Sequence, residues 1–141
     1  MGFNLSGGTA WQNLYGNNIP NGDVAIMYYS HLLCKQGGEY QFLAGPVSDY
    51  AALWVGFDAP SYWGQSNTPD YPVLWQTKSV QTVATVSCNA GDQVPFRWLF
   101  WHGKDWQDFE PSIVSPSGDV IVSATSMNSS FFSFGLQVTI T

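Results

Sequence analysis

The chain concentrates its chemistry between residues 94 and 109. Phe96, Trp98 and Phe100 alternate with Arg97, Leu99 and Trp101, so the two sets face opposite sides of an extended strand. The alternation stops at His102-Gly103, and Lys104, Asp105, Trp106, Gln107 and Asp108 follow. Three of the seven tryptophans fall within nine residues here. Aromatic planes beside a carboxylate, an imidazole and an ammonium at a strand end suit a ligand with polar groups around an apolar face. Packing is the structural alternative: Trp98 in the core, with Trp101 and Trp106 covering a sheet end.

A second aromatic group, Tyr62-Trp63, lies in an excursion over residues 57–74 that carries three prolines. Its length suits a binding loop, or a loop packed by its own rings. Tyr62, Trp63, Trp101 and Trp106 are therefore candidate platforms for a pyranose ring. Asp49, Gln65, Asn67 and Asp105 are candidate partners for its hydroxyls. Catalysis has less support. Asp49, Asp58, Asp70, Asp105, Asp108 and Glu110 supply carboxylates, but no pair stands in a glycosidase signature. Ser48, Asp49 and His102 are triad residue types without triad spacing. No G-x-S-x-G, H-E-x-x-H or phosphate-cradling glycine loop occurs. The reading is a binding protein, not an enzyme.

Composition narrows the partners. The 141 residues include 10 acidic and 4 basic side chains, for a net charge of −6. Nucleic-acid binding by counterion release needs clustered Lys and Arg, which are missing, and anionic membranes are disfavoured for the same reason. No apolar run is long enough to span a membrane. Aromatics at 16% with charged residues at 10% resemble extracellular β-proteins. Cys34 and Cys88 stand outside any zinc spacing. They predict one disulfide in an oxidising compartment, with two buried free thiols as the alternative. Asn4-Leu-Ser6 and Asn128-Ser-Ser130 fit the short N-glycosylation pattern. Met1-Gly2-Phe3 carries neither a basic region nor an apolar run, so no signal peptide is expected at this point.

Positioning these residues requires strands. Residues 1–22 read as an irregular arm pinned by Trp11, Leu14, Tyr15 and Ile19. Residues 23–33 form the first convincing strand, and Gln36-Gly37-Gly38 turns it into a second, 39–44, as a hairpin. Residues 45–49 read as a loop and 50–56 as a strand. A strand with one wet face covers 77–88, a turn follows at 89–92, and the aromatic strand comes next. Residues 109–115, 119–123 and 131–141 complete the set. No segment keeps a 3.6-residue period over helical length. The expectation is all-β: one domain over residues 1–141, an antiparallel sandwich with long surface loops.

The order of several short motifs carries a resemblance. Tyr28-Tyr29, Gly38-Glu-Tyr-Gln-Phe42 and Ser48-Asp-Tyr-Ala-Ala-Leu-Trp-Val-Gly56 resemble the GLEYA adhesin pattern "G-x-Y-x-F … D-D-x-A-x-L-W-x-G" of fungal cell-wall proteins. Val94-Pro-Phe-Arg-Trp-Leu-Phe-Trp-His-Gly103 is similar to the following "P-[IL]-R-[IL]-x-Y-x-N", and residues 111–118 to "x-V-x-x-P-D-G". The likeness covers roughly residues 24–123. It implies the protective-antigen-type sandwich shared with yeast flocculins, and a secreted, wall-attached lectin that uses calcium. In that family two adjacent aspartates, an asparagine and backbone carbonyls of a second loop hold the ion, which also takes sugar hydroxyls.

Here Ser48-Asp49 replaces the aspartate pair and His102 the asparagine, while the tryptophan four residues on is kept as Trp106. Asp49 and the carbonyls of Lys104 and Trp106 remain as ligands. These departures predict that calcium is absent or weakly held. Asp105 or Asp108 turned inward would restore it, and the Lys104 ammonium would replace part of its charge. The resemblance at Ser48, Asp49, His102, Lys104 and Trp106, together with the residue types of Tyr62, Trp63, Trp101 and Asp105, gives the expected site for cell-surface glycans. The alternative on the same fold is contact with another wall or adhesin protein, or with a second copy.

Overall fold

The computed structural model describes residues 3–5, 11–14, 17–20, 24–47, 49–56, 59, 71–73, 79–103, 107–123, 129–131 and 137–140. Twelve strands lie among them. In order they are β1 (Phe3–Leu5), β2 (Trp11–Leu14), β3 (Asn17–Pro20), β4 (Val24–Leu33), β5 (Gly38–Val47) and β6 (Tyr50–Val55). There follow β7 (Tyr71–Val73), β8 (Gln81–Cys88), β9 (Gln93–His102), β10 (Gln107–Val114), β11 (Val120–Val122) and β12 (Gln137–Ile140). A single 3-10 turn, Ser129–Phe131, is the only helical element among the described residues.

The strands form two five-stranded antiparallel sheets. One has the order β1-β10-β5-β8, with β11 also on β10; the other runs β12-β4-β9-β6-β7. β2 and β3 pair with each other. The inner faces of the two sheets share one core. Ile26, Tyr28, Leu32, Phe96, Trp98 and Phe100 come from one side, and Tyr40, Phe42, Ala84, Phe109 and Ile113 from the other. Phe109 sits at its middle, with ring centroids of Tyr28, Trp98 and Phe100 at 5.7, 5.6 and 5.1 Å. The expected all-β sandwich is the observed one.

Several local expectations change. The arm of residues 1–22 contains three strands, and β1 joins a main sheet by pairing Asn4 with Asp108. β4 and β5 are not a hairpin: β4 pairs with β9 and β12, β5 with β10 and β8. The turn at 34–37 therefore arches from one sheet to the other. A glycine-rich turn fixes reversal of the chain but not which neighbour each strand chooses, and both strands here have better partners. Residues 45–47 are strand rather than loop. Gly45 (φ +145°) allows this, because a Cβ there would run into the Ser79 and Val80 backbone. In the 57–74 excursion, β7 pairs with β6 and Ala59 is fully buried, so that segment is not wholly surface.

The two ends of the sandwich differ. At one, Cys34 and Cys88 form the expected disulfide across the sheets, and the Cys34 carbonyl accepts from Gly91 N–H at 2.7 Å. Gln36 also donates to Ser117 Oγ there, at 3.1 Å. At the other end β4 begins, β9 stops and β6 begins.

The outer face of the second sheet is apolar as well. Trp54 and Arg97 are register partners on β6 and β9, and the guanidinium carbon lies 4.2 Å from the indole centroid. Both side chains are buried, and burial pulls the Arg97 pKa below its usual range. A stacked guanidinium keeps its charge against a π face while its stem covers apolar surface. Arg97→Ala is expected to destabilise by about 2–4 kcal/mol in denaturant melts. A double-mutant cycle with Trp54→Ala should give a coupling of about 1 kcal/mol. Zero coupling would mean that the two side chains contribute no net pairwise stabilisation.

Candidate functional site

Pairing in the second sheet assembles the candidate site. β9 is paired with β4 along its whole length, from Leu33 opposite Gln93 to Val24 opposite His102. On its other side it pairs with β6, from Val55 opposite Phe96 to Tyr50 opposite Trp101. Phe96, Trp98 and Phe100 must face the core, so Arg97, Leu99 and Trp101 face out, as the alternation predicts. Asp49, one step before Tyr50, therefore meets the chain one or two steps after Trp101.

That meeting is a hydrogen bond. Gly103 N–H donates to Asp49 Oδ2 at 2.8 Å in a part-buried setting. Among the described residues Trp101, at 39% exposure, is the exposed aromatic of this end. Its ring edge closes over Gly103: a Cβ built there would stand 3.4 Å from Trp101 Cη2 and 3.9 Å from Asp49 Oδ2. Indole and carboxylate thus converge on this one backbone position. Tyr50, half-buried opposite Trp101, packs with the outer cluster of Ala52, Trp54, Ala59 and Leu99. Burial pushes its phenol above the usual value of 10.0, so it stays a neutral hydrogen-bonding group.

Of the residues singled out from sequence, Asp49 and Trp101 are thus brought to one spot. His102 closes β9 opposite Val24, and its side chain lies outside the described residues, as do Ser48, Tyr62, Trp63, Lys104, Asp105 and Trp106. Gln65 and Asn67 lie outside them too. His31 is in register with Pro95, toward the disulfide end, so it does not join Asp49 in a metal pair. Sequence reasoning missed Gly103 and Tyr50. The signal for Gly103 was a glycine two residues after an outward tryptophan; for Tyr50 it was visible only once register was known.

The described carboxylates are divided among separate tasks. Asp92 Oδ2 accepts from Asn89 N–H at 2.8 Å, and Asp119 Oδ2 from Ser117 Oγ at 2.7 Å, both in turns near the disulfide. Asp49 precedes β6 in the second sheet, whereas Glu110 lies in β10 of the first. The arrangement at Asp49 offers an oriented acceptor beside an exposed aromatic plane.

The residue types at these positions differ from those the resemblance implies for calcium. The ion takes six to eight oxygens and favours several carboxylates, whereas Asp49 stands beside Ser48 and faces a chain that carries His102. Among the described residues no three His, Cys, Asp or Glu side chains form a metal-sized cluster.

Comparison with known proteins bears on this geometry. The sequence model of the GLEYA domain matches residues 24–115, a span that contains Asp49, Trp101 and Gly103. No curated protein matches the chain.

Gly103→Val should cost about 1–3 kcal/mol in a denaturant melt, because the branched side chain meets the Trp101 ring and the Asp49 carboxylate. Unchanged stability would mean that the indole and carboxylate do not close around this glycine.

Proposed function

Because the chain belongs to the GLEYA domain family, an adhesin-type rather than an enzyme family, we propose that it binds carbohydrate. The ligand is a cell-surface glycan, taken up at the end of the sandwich where Asp49, Trp101 and Gly103 converge. The domain would act outside the cell, as part of a fungal-type wall adhesin. The Cys34–Cys88 disulfide supports an oxidising location.

One observation carries this reading: an exposed indole beside a carboxylate that a backbone N–H already orients. A pyranose has an apolar face of C–H groups and an equatorial ring of hydroxyls. The Trp101 plane suits the first and the second lone-pair set of a fixed carboxylate suits the second. Orienting the acceptor before binding lowers the ordering cost on association. Trp101 lies in β9 and Asp49 directly before β6, and we assign specificity to the sequence segments 57–70 and 104–106. Trp106, Tyr62 and Trp63 are the further platforms within them.

A glycan array probed with the purified domain tests this directly. Hits are expected, and Trp101→Ala should weaken them at least about tenfold while changing stability by no more than about 1 kcal/mol. Trp106→Ala should do the same. Binding that survives both substitutions would put the site elsewhere. An empty array, together with concentration-dependent self-association in sedimentation, would instead favour homophilic or protein–protein contact.

A further inference from the structure

We propose that this domain works without calcium, with the Gly103 N–H holding the Asp49 carboxylate in the orientation for which the family employs an ion. The inference concerns the carboxylate and stands whether or not the ligand is a sugar.

Three observations converge on it. The first is charge. A pair of aspartates sets two negative charges against a dication, whereas Ser48-Asp49 leaves one. Losing a full charge from a hard-cation site removes the largest attractive component that the protein supplies. The second is donor type. Position 102 offers an imidazole in place of an amide oxygen, and imidazole nitrogen suits transition metals rather than calcium. The third is geometric. Asp49 Oδ2 accepts from Gly103 N–H at 2.8 Å, part-buried and near the Trp101 ring. Hydrogen bonds to an ionised acceptor are roughly twice as strong as neutral ones. The bond thus orients the carboxylate by a group that belongs to the chain itself.

The amide does for the carboxylate part of what a cation would do. It presents positive charge density to one oxygen, fixes the rotamer, and ties the start of β6 to the loop after β9. It also does so permanently, with no dependence on the ionic composition outside the cell. Asp49 is then a hydrogen-bond acceptor toward ligand, and Trp101 supplies the apolar contact beside it.

Thermal melting in excess calcium and in chelator tests the proposal on the purified domain. An ion held only by the native state, at about a hundred times its Kd, would raise Tm by roughly 5–10 °C. The wild-type domain is expected to melt within about 1 °C in the two conditions. Asp49→Ala should lower Tm equally in both, because the lost bond is to an amide. The double variant Ser48→Asp/His102→Asn should acquire a calcium-dependent rise in Tm and heat of calcium binding in calorimetry. A calcium-dependent rise in the wild type that Asp49→Ala abolishes would overturn the proposal. A double variant that folds and remains indifferent to calcium would overturn the assignment of the loss to these two positions.

Discussion

β9 is held in register on both sides, and the rest of the second sheet depends on that constraint. Its inward residues, Phe96, Trp98 and Phe100, face Phe42 and Phe109 of the other sheet. A slip of one residue would turn all three outward and bury Arg97 in the middle of the core. The cost of such a slip fixes Trp101 on the outer face and His102-Gly103 at the sheet's end. Because Tyr50 is opposite Trp101, it also fixes where Asp49 arrives. The site's geometry is thus a by-product of core packing.

The outer face extends the same logic. In many sandwiches the outer face is wet, but here Ala52, Trp54, Ala59 and Leu99 form a second buried cluster with Arg97 stacked on Trp54. The family motifs "L-W-x-G" and "P-[IL]-R" therefore meet as cross-strand partners. Their tryptophan and arginine stabilise the pairing of β6 with β9, and with it the approach of Asp49 to Gly103. At the opposite end the disulfide joins the two sheets, and Gln36 of the connecting turn donates to Ser117 of the β10–β11 turn. One end of the sandwich is tied down and the other presents functional groups.

Much of this was legible in the sequence, for physical reasons that can be named. Alternation of large apolar side chains disclosed β9 and the inward set, because period two is a property of any half-buried strand. Cysteine number and compartment pointed to the disulfide. What failed was partner choice. Gln36-Gly37-Gly38 signals a reversal, yet β4 and β5 enter different sheets, since pairing depends on strands far away in sequence. Gly45-Pro46 reads as a breaker but lies inside β5, where the neighbouring backbone leaves no room for a Cβ. The arm's β1 was hidden because three residues carry too little pattern. At the site, Asp49 and Trp101 could be picked out by type, while Gly103 has no side chain to advertise a role and acts through its amide.

The central claim is that the Asp49–Gly103–Trp101 end is the ligand-binding surface. Amide and indole resonances of the isotope-labelled domain, followed while a bound oligosaccharide from the array is titrated in, test it most directly. The account predicts that the Gly103 amide and the Trp101 indole N–H shift together, with the Gly91 and Gly118 amides at the disulfide end unmoved. Shifts gathered around Gly91 and Gly118, with Gly103 and Trp101 unchanged, would contradict it.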